Sequence, residues 1–205
     1  MVLQSEQANV RRGPYSKTAQ RRIEIIEAAT SVFAQRGYHG GSLRDISKQL
    51  GLSLTSLVHH FPSKSDLLEA VLDHADATWG TSVEADVDKQ GVKFAILRLA
   101  QVNFDHPELL RLLAIVASEA SSPVHPAHDW FVQRYQRLAG ILQQMIETDR
   151  ERGRVRADGD AAVLARRVIA IWDGLQLQWL LDPHEDMIGE MRGALDDLLG
   201  GPRAK

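Results

Sequence analysis

Apolar residues recur along this chain at spacings of three and four, and no sustained run alternates apolar with polar. Between residues 18 and 36, Ile23, Ile26, Ala29 and Phe33 make one stripe of a helix. Gly37 stands where that helix should end, because glycine tolerates the left-handed cap conformation. Ser42-Leu-Arg-Asp45 has the form of a capping box and opens a short helix to about Leu50. Gly51 interrupts it, Ser53 caps a third helix over about 54–60, and Pro62 stops that one. Ser63-Lys-Ser-Asp66 is a second box-like start, for a long helix to about Val87. Amphipathic segments follow at about 92–104, 107–119, 123–152, 159–181 and 185–199, with Pro107 and Pro123 in first turns, where proline is tolerated. The pattern predicts an all-α chain of about nine helices without internal repeats.

The second and third helices meet at a tight turn on Gly51, with Ile46, Leu50, Leu52 and Leu57 apolar and Ser47 small at the crossing. That is the sequence form of a helix-turn-helix, whose second helix enters the DNA major groove. Glycine-turn hairpins of helices also occur in plain bundles, so the neighbourhood decides. Residues 1–64 carry nine Lys/Arg against four Asp/Glu, whereas residues 65–205 carry fifteen against twenty-three. A basic first third on an acidic body points to an anionic partner at one end. The expected organisation is a flexible basic arm (1–17), a helix-turn-helix unit (18–64) and a larger helical unit for ligand binding and dimerisation (65–205).

Composition removes other classes. There is no cysteine, so disulfides and thiolate chemistry are excluded. No apolar run approaches the ~20 residues of a membrane span, and the basic N-terminus has no apolar core of a signal peptide. The chain is read as cytoplasmic. No nucleophile elbow, phosphate loop or HExxH pattern occurs, so no enzyme is expected, and no cofactor. Two histidine features invite a metal reading. His59 and His60 are adjacent and point apart on a helix, while His125 and His128 with Asp129 sit at a helix start, where such residues are unremarkable. No metal is expected.

The stretch RRIEIIEAATSVFAQRGYHGGSLRDISKQLGLSLTSLVHHFPSKSDLLEAVL resembles the tetracycline-repressor (TetR) family of bacterial transcription regulators. The resemblance rests on Ile26, Ala29, Phe33, Gly37-Tyr38, Ser42 before Leu43-Arg-Asp-Ile46, Gly51-Leu-Ser53, His60-Phe61, Ser63-Lys64 and Leu67-Leu68. It implies a dimeric regulator, most simply a repressor, that binds an inverted-repeat operator in double-stranded DNA and is released by a small organic effector. The alternative is an all-helical small-molecule-binding dimer whose DNA binding has weakened. One position departs from the family, which usually has a tyrosine at Val58 whose hydroxyl helps bind the phosphate backbone. Valine cannot donate that hydrogen bond, and His59 or His60 is expected to face the backbone instead.

Within that frame Ser53 caps the recognition helix, and Leu54, Thr55 and Ser56 lie in its first turn, nearest base edges. Arg44 is a further reader. Ser42 and Lys64 start the second and fourth helices, where free amides and a cation suit phosphate. Arg11, Arg12 and Lys17 form the basic arm. Leu57 and Phe61 are expected in the core.

In the second unit, an effector pocket is expected among Phe94, Leu97, Gln101, Phe104, Leu113, Val116, Trp130, Arg134, Leu138, Met145, Val168 and Trp172. The polar members on apolar stripes suit a semi-polar organic molecule, and Trp130 and Trp172 would also suit a cation. Ala170, Gly174, Leu177, Gln178 and Leu181, with Met187, Met191, Leu195 and Leu198, supply two stripes for a four-helix dimer seam. The competing reading is that both stripes close the monomer's own core.

Overall fold

The computed structural model describes residues 14–80, 90–184 and 186–200. Among them are nine helices and no strand. They are α1 (Pro14–Gly40), α2 (Leu43–Gln49), α3 (Leu54–His60), α4 (Lys64–Gly80), α5 (Val92–Phe104), α6 (Pro107–Glu119), α7 (His128–Glu151), α8 (Ala161–Leu181) and α9 (Met187–Leu199). The expected extension of α4 to Val87 lies outside the described residues.

Local chemistry sets the boundaries. Pro14 opens α1, where its missing N–H costs no hydrogen bond. The backbone breaks at Gly37 (φ 67°, ψ 178°), and residues 38–40 add a last turn beyond the break. Ser42 Oγ accepts from Asp45 N at 3.2 Å and donates to the Asp45 carboxylate at 2.6 Å, closing the start of α2. Ser53 Oγ accepts from Ser56 N at 3.1 Å at the start of α3. Ser63 and Asp66 exchange both bonds of a capping box, at 2.9 and 3.1 Å.

Ile23 and Pro123 depart from expectation. Ile23 is 40% exposed, because α1 buries a face centred on Ala29, with Ile25, Ala28 and Val32 beside it. At 100° per residue Ile23 lies roughly 120° round from Ala29, at the rim of that face. Pro123 is not in a helix at all. Residues 121–127 are consecutive turns, and α7 begins only after Pro126, which disfavours helical backbone at His125.

The helices pack around two cores. The first gathers Ile25, Ala29 and Phe33 of α1, Ile46, Leu57 and Phe61 of the helix-turn-helix, Leu67, Leu68 and Val71 of α4, and Leu112, Leu113 and Val116 of α6. It therefore runs across the expected boundary at residue 64, with α6 lying against α1. The second joins α5, α7, α8 and α9 through Val92, Ile146, Leu164, Val168, Met191 and Leu195.

Candidate nucleic-acid interface and regulatory cavity

Helix α3 is held by Leu57 and Phe61, both buried, so its other face is turned out. Leu54 and Val58 are each 37% exposed, and Thr55 and His59 are exposed beside them. Arg44 on α2 is exposed as well. Gly51 (φ 63°) makes the turn that sets α3 against α2, and Ser47 is buried at the crossing, its hydroxyl donating to the Arg44 carbonyl at 2.9 Å.

The backbone candidates differ among themselves. Ser42 and Ser53 have their hydroxyls in helix caps. The His59 and His60 rings meet edge to face, 5.7 Å apart. Burial holds the His60 imidazole below its ordinary pKa, and His59, Arg22 and Arg21 push the same way. Lys64 is half-buried, with Nζ 4.3 Å over the Tyr38 ring, and burial lowers its pKa while Glu119 opposes the shift. Sequence reading missed Arg22, which donates to the His60 carbonyl at 2.6 Å and lies 4.2 Å over Phe61, tying α1 to the end of α3. Arg11 and Arg12 lie outside the described residues. Lys17 is in the first turn of α1 rather than in an arm, and its side chain is not described.

A cavity of about 590 Å³ opens between α6, α7 and α8. Of the residues expected at a pocket, Leu113, Arg134 and Trp172 line it. The remaining candidates do not. Val116 and Val168 are fully packed core, and Phe104 packs at a tilt against Trp179, ring centroids 4.5 Å apart. Gln101 is exposed, and Phe94, Leu97 and Leu138 are half-buried away from the cavity walls. Trp130 donates to Asp73 at 2.8 Å beside a different cleft. Met145 borders a third, where the buried Asp149 carboxylate caps α5 by accepting from Val92 N at 2.7 Å. The helical stripe marks the apolar ones as at least partly buried, but only the pairing of helices decides which of them meets a void.

The missed wall is polar and aromatic: Phe131, Tyr135, Asp173, Gln176 and Glu119. Tyr135 donates to Asp173 Oδ2 at 2.8 Å. Burial, with the adjacent Asp173 charge, pushes the Tyr135 hydroxyl up to about 12. Burial also raises Asp173, against the Tyr135 hydrogen bond and the Arg134 charge. Arg134 itself pairs with Asp76 of α4 at 2.9 Å, and Arg137 joins the same carboxylate. Among the described residues no group of three or more His, Asp or Glu is placed to hold a metal ion.

The two stripes expected at a dimer seam part company. On α8, Ala170, Gly174, Leu177, Gln178 and Leu181 are all exposed, Leu181 at 80%. On α9, Met187, Met191 and Leu195 are buried in the chain's own second core, with Leu198 half-buried against it. The α9 stripe therefore closes the monomer, and only α8 offers its stripe outward. Among the described residues no helix is long and apolar enough to cross a membrane.

Comparison with known proteins agrees with this geometry. Residues 25–71 match the family model of bacterial regulatory proteins of the tetR family, and residues 100–201 that of the C-terminal part of BetI-type transcriptional repressors. The transcriptional regulator PksA of Bacillus subtilis is 27% identical over 168 residues, 80% of each chain. The transcriptional regulator TtgR of Pseudomonas putida is 26% identical over 195 residues, 85% of this chain and 88% of that one. The crystal structure of a transcriptional regulator from Saccharomonospora viridis in complex with choline is 29% identical. It superposes with a TM-score of 0.70 over 87% of this chain and 95% of that one.

Proposed function

Since the chain belongs to the TetR family of helix-turn-helix, DNA-binding transcription regulators, we propose that it is a cytoplasmic, dimeric repressor of an inverted-repeat operator, released by a small organic cation. The observation that carries the DNA half is the outward face of α3, where Leu54, Thr55 and Val58 stand exposed on a helix anchored by Leu57 and Phe61. Thr55 and the hydroxyls beside it bond base edges, and the Leu54 side chain suits a thymine methyl. These readers are soft, so DNA shape and Arg44 contribute to the choice of site. Lys64 supplies phosphate contact at the start of α4, and His59 at the exposed end of α3 stands in for the hydrogen bond that Val58 cannot give.

One short helix of soft readers binds specifically only when paired. The exposed α8 stripe, with Gly174 admitting close approach, supports a two-fold axis there. Two copies of α3 then meet half-sites about one helical turn (~34–36 Å) apart.

The cavity supports this effector class. Two carboxylates, Asp173 and Glu119, line the cavity with Phe131, Tyr135 and Trp172, alongside Arg134, which pairs with Asp76, and the exposed Arg111. Aromatic faces beside a desolvated carboxylate suit a cation without strong hydration. The choline-bound relative supports that class. Binding shifts the population toward a state with altered half-site spacing and weakens operator binding. The test selects a duplex from random sequence with the full chain, then titrates the complex with choline. A selected inverted repeat released by choline supports the reading, and absence of any sequence preference rejects it.

A further inference from the structure

Glu119 is the last residue of α6 and belongs to the cavity wall, yet its carboxylate also reaches into the DNA-binding half of the chain. Oε2 accepts the Tyr38 N–H at 2.7 Å, across 81 residues of sequence. That amide follows Gly37, where φ 67° and ψ 178° break the backbone of α1. The carboxylate is packed directly on the break, since a Cβ added to Gly37 would lie 2.3 Å from Oε1. Above the break the Tyr38 ring carries the Lys64 ammonium at 4.3 Å and meets the His125 imidazole edge-on at 4.9 Å. One side chain thus touches the cavity, the break in α1 and, through Tyr38, the cation that opens α4.

The surroundings leave this contact sensitive to charge. The other ionisable groups facing it are His125, whose Nε2 is 3.9 Å from Oε2, and Lys64. His125 is buried, and burial holds its imidazole neutral by lowering its pKa. Its Nδ1 accepts from Ala127 N at 3.2 Å, which leaves Nε2 carrying the proton beyond hydrogen-bond reach of the carboxylate. The Tyr38 N–H is consequently the short partner of Glu119. A charge-assisted bond of this kind is strong, and a competing cation weakens it directly.

We propose that Glu119 is the positioning residue through which the cavity's occupant sets the helix-turn-helix: a cation in the cavity draws the carboxylate off the Tyr38 amide, and α1 loosens at Gly37 together with Tyr38 and Lys64. The inference rests on the cation-responsive repressor reading above. It adds the residue that carries the response, and identifies the end of α1 as the element that moves.

The test uses the full chain and the inverted repeat that the wild type selects. Operator affinity is measured for wild type, Glu119→Ala and Glu119→Gln on repeats of altered half-site spacing, then with tetramethylammonium chloride against potassium chloride at equal ionic strength. Glu119→Ala removes the acceptor, so operator affinity falls about tenfold and its dependence on spacing flattens. Glu119→Gln keeps an acceptor without the charge. It holds operator affinity within about threefold and loses the release by tetramethylammonium, because a neutral amide is not drawn by a cation. Thermal shift with the same salt reports whether the cavity still binds the cation. A Glu119→Ala protein with wild-type affinity and spacing dependence overturns the proposal. So does a Glu119→Gln protein as weak as the alanine variant, or one released like wild type. Failure of the wild type to select a sequence, or to bind tetramethylammonium at all, counts instead against the function proposed above.

Discussion

Gly37 and His125 show how much a single position can carry at the joint between the two halves. Any side chain at Gly37 meets two penalties, a positive φ and the Glu119 carboxylate. Gly37→Ala should therefore destabilise the fold by roughly 1–3 kcal/mol, read from the urea midpoint at constant slope. His125 makes stability depend on acid. Its folded pKa lies below the ordinary 6.5, so below that pH the unfolded chain binds a proton that the native chain refuses. Stability is then flat above about pH 6.5 and falls as pH drops through 6.5 toward the lower native value. His60 contributes in the same direction. Urea midpoints measured from about pH 7.5 to 5 should show this fall, and His125→Gln should reduce its slope without abolishing it. A midpoint that rises on acidification would contradict the burial argument.

At the scale of elements, the proposed reading gives α3 and the start of α4 separable jobs. Lys64→Ala should weaken binding to all duplexes about equally and lower the salt slope by about one, as expected of a lost phosphate contact. Unchanged affinity would favour a binder whose DNA role has weakened. These short elements were legible in the sequence because their signals are local. Ser42 with Asp45, Ser53 with Ser56, and Ser63 with Asp66 all close within three residues, and Gly51 and Gly37 stand at the backbone angles that glycine allows. The cavity was much less legible. Tyr135 and Asp173 are 38 residues apart, and Glu119 and Tyr38 are 81 apart, so no window of sequence joins them. The α9 stripe shows the same limit: apolar periodicity says that Met187, Met191 and Leu195 are buried, without saying whether the chain or a partner buries them.

At the scale of the whole molecule, the proposed regulator is a two-fold dimer that would join two recognition helices to a cavity suited to a cation. The most exposed apolar side chains on α8, Leu177 and Leu181, should lie in the dimer seam. Leu177→Arg with Leu181→Arg should yield a folded monomer by analytical ultracentrifugation and lose specific operator binding with it. A dimer that survives both changes would place the axis elsewhere. Effector-linked recognition of an inverted repeat can be read in a single binding experiment. Fluorescence anisotropy of the selected repeat with the full chain, across a salt series and with and without choline at fixed ionic strength, should give salt-sensitive, sequence-selective binding that choline weakens. Equal affinity for the repeat and a scrambled duplex at every salt concentration would contradict it.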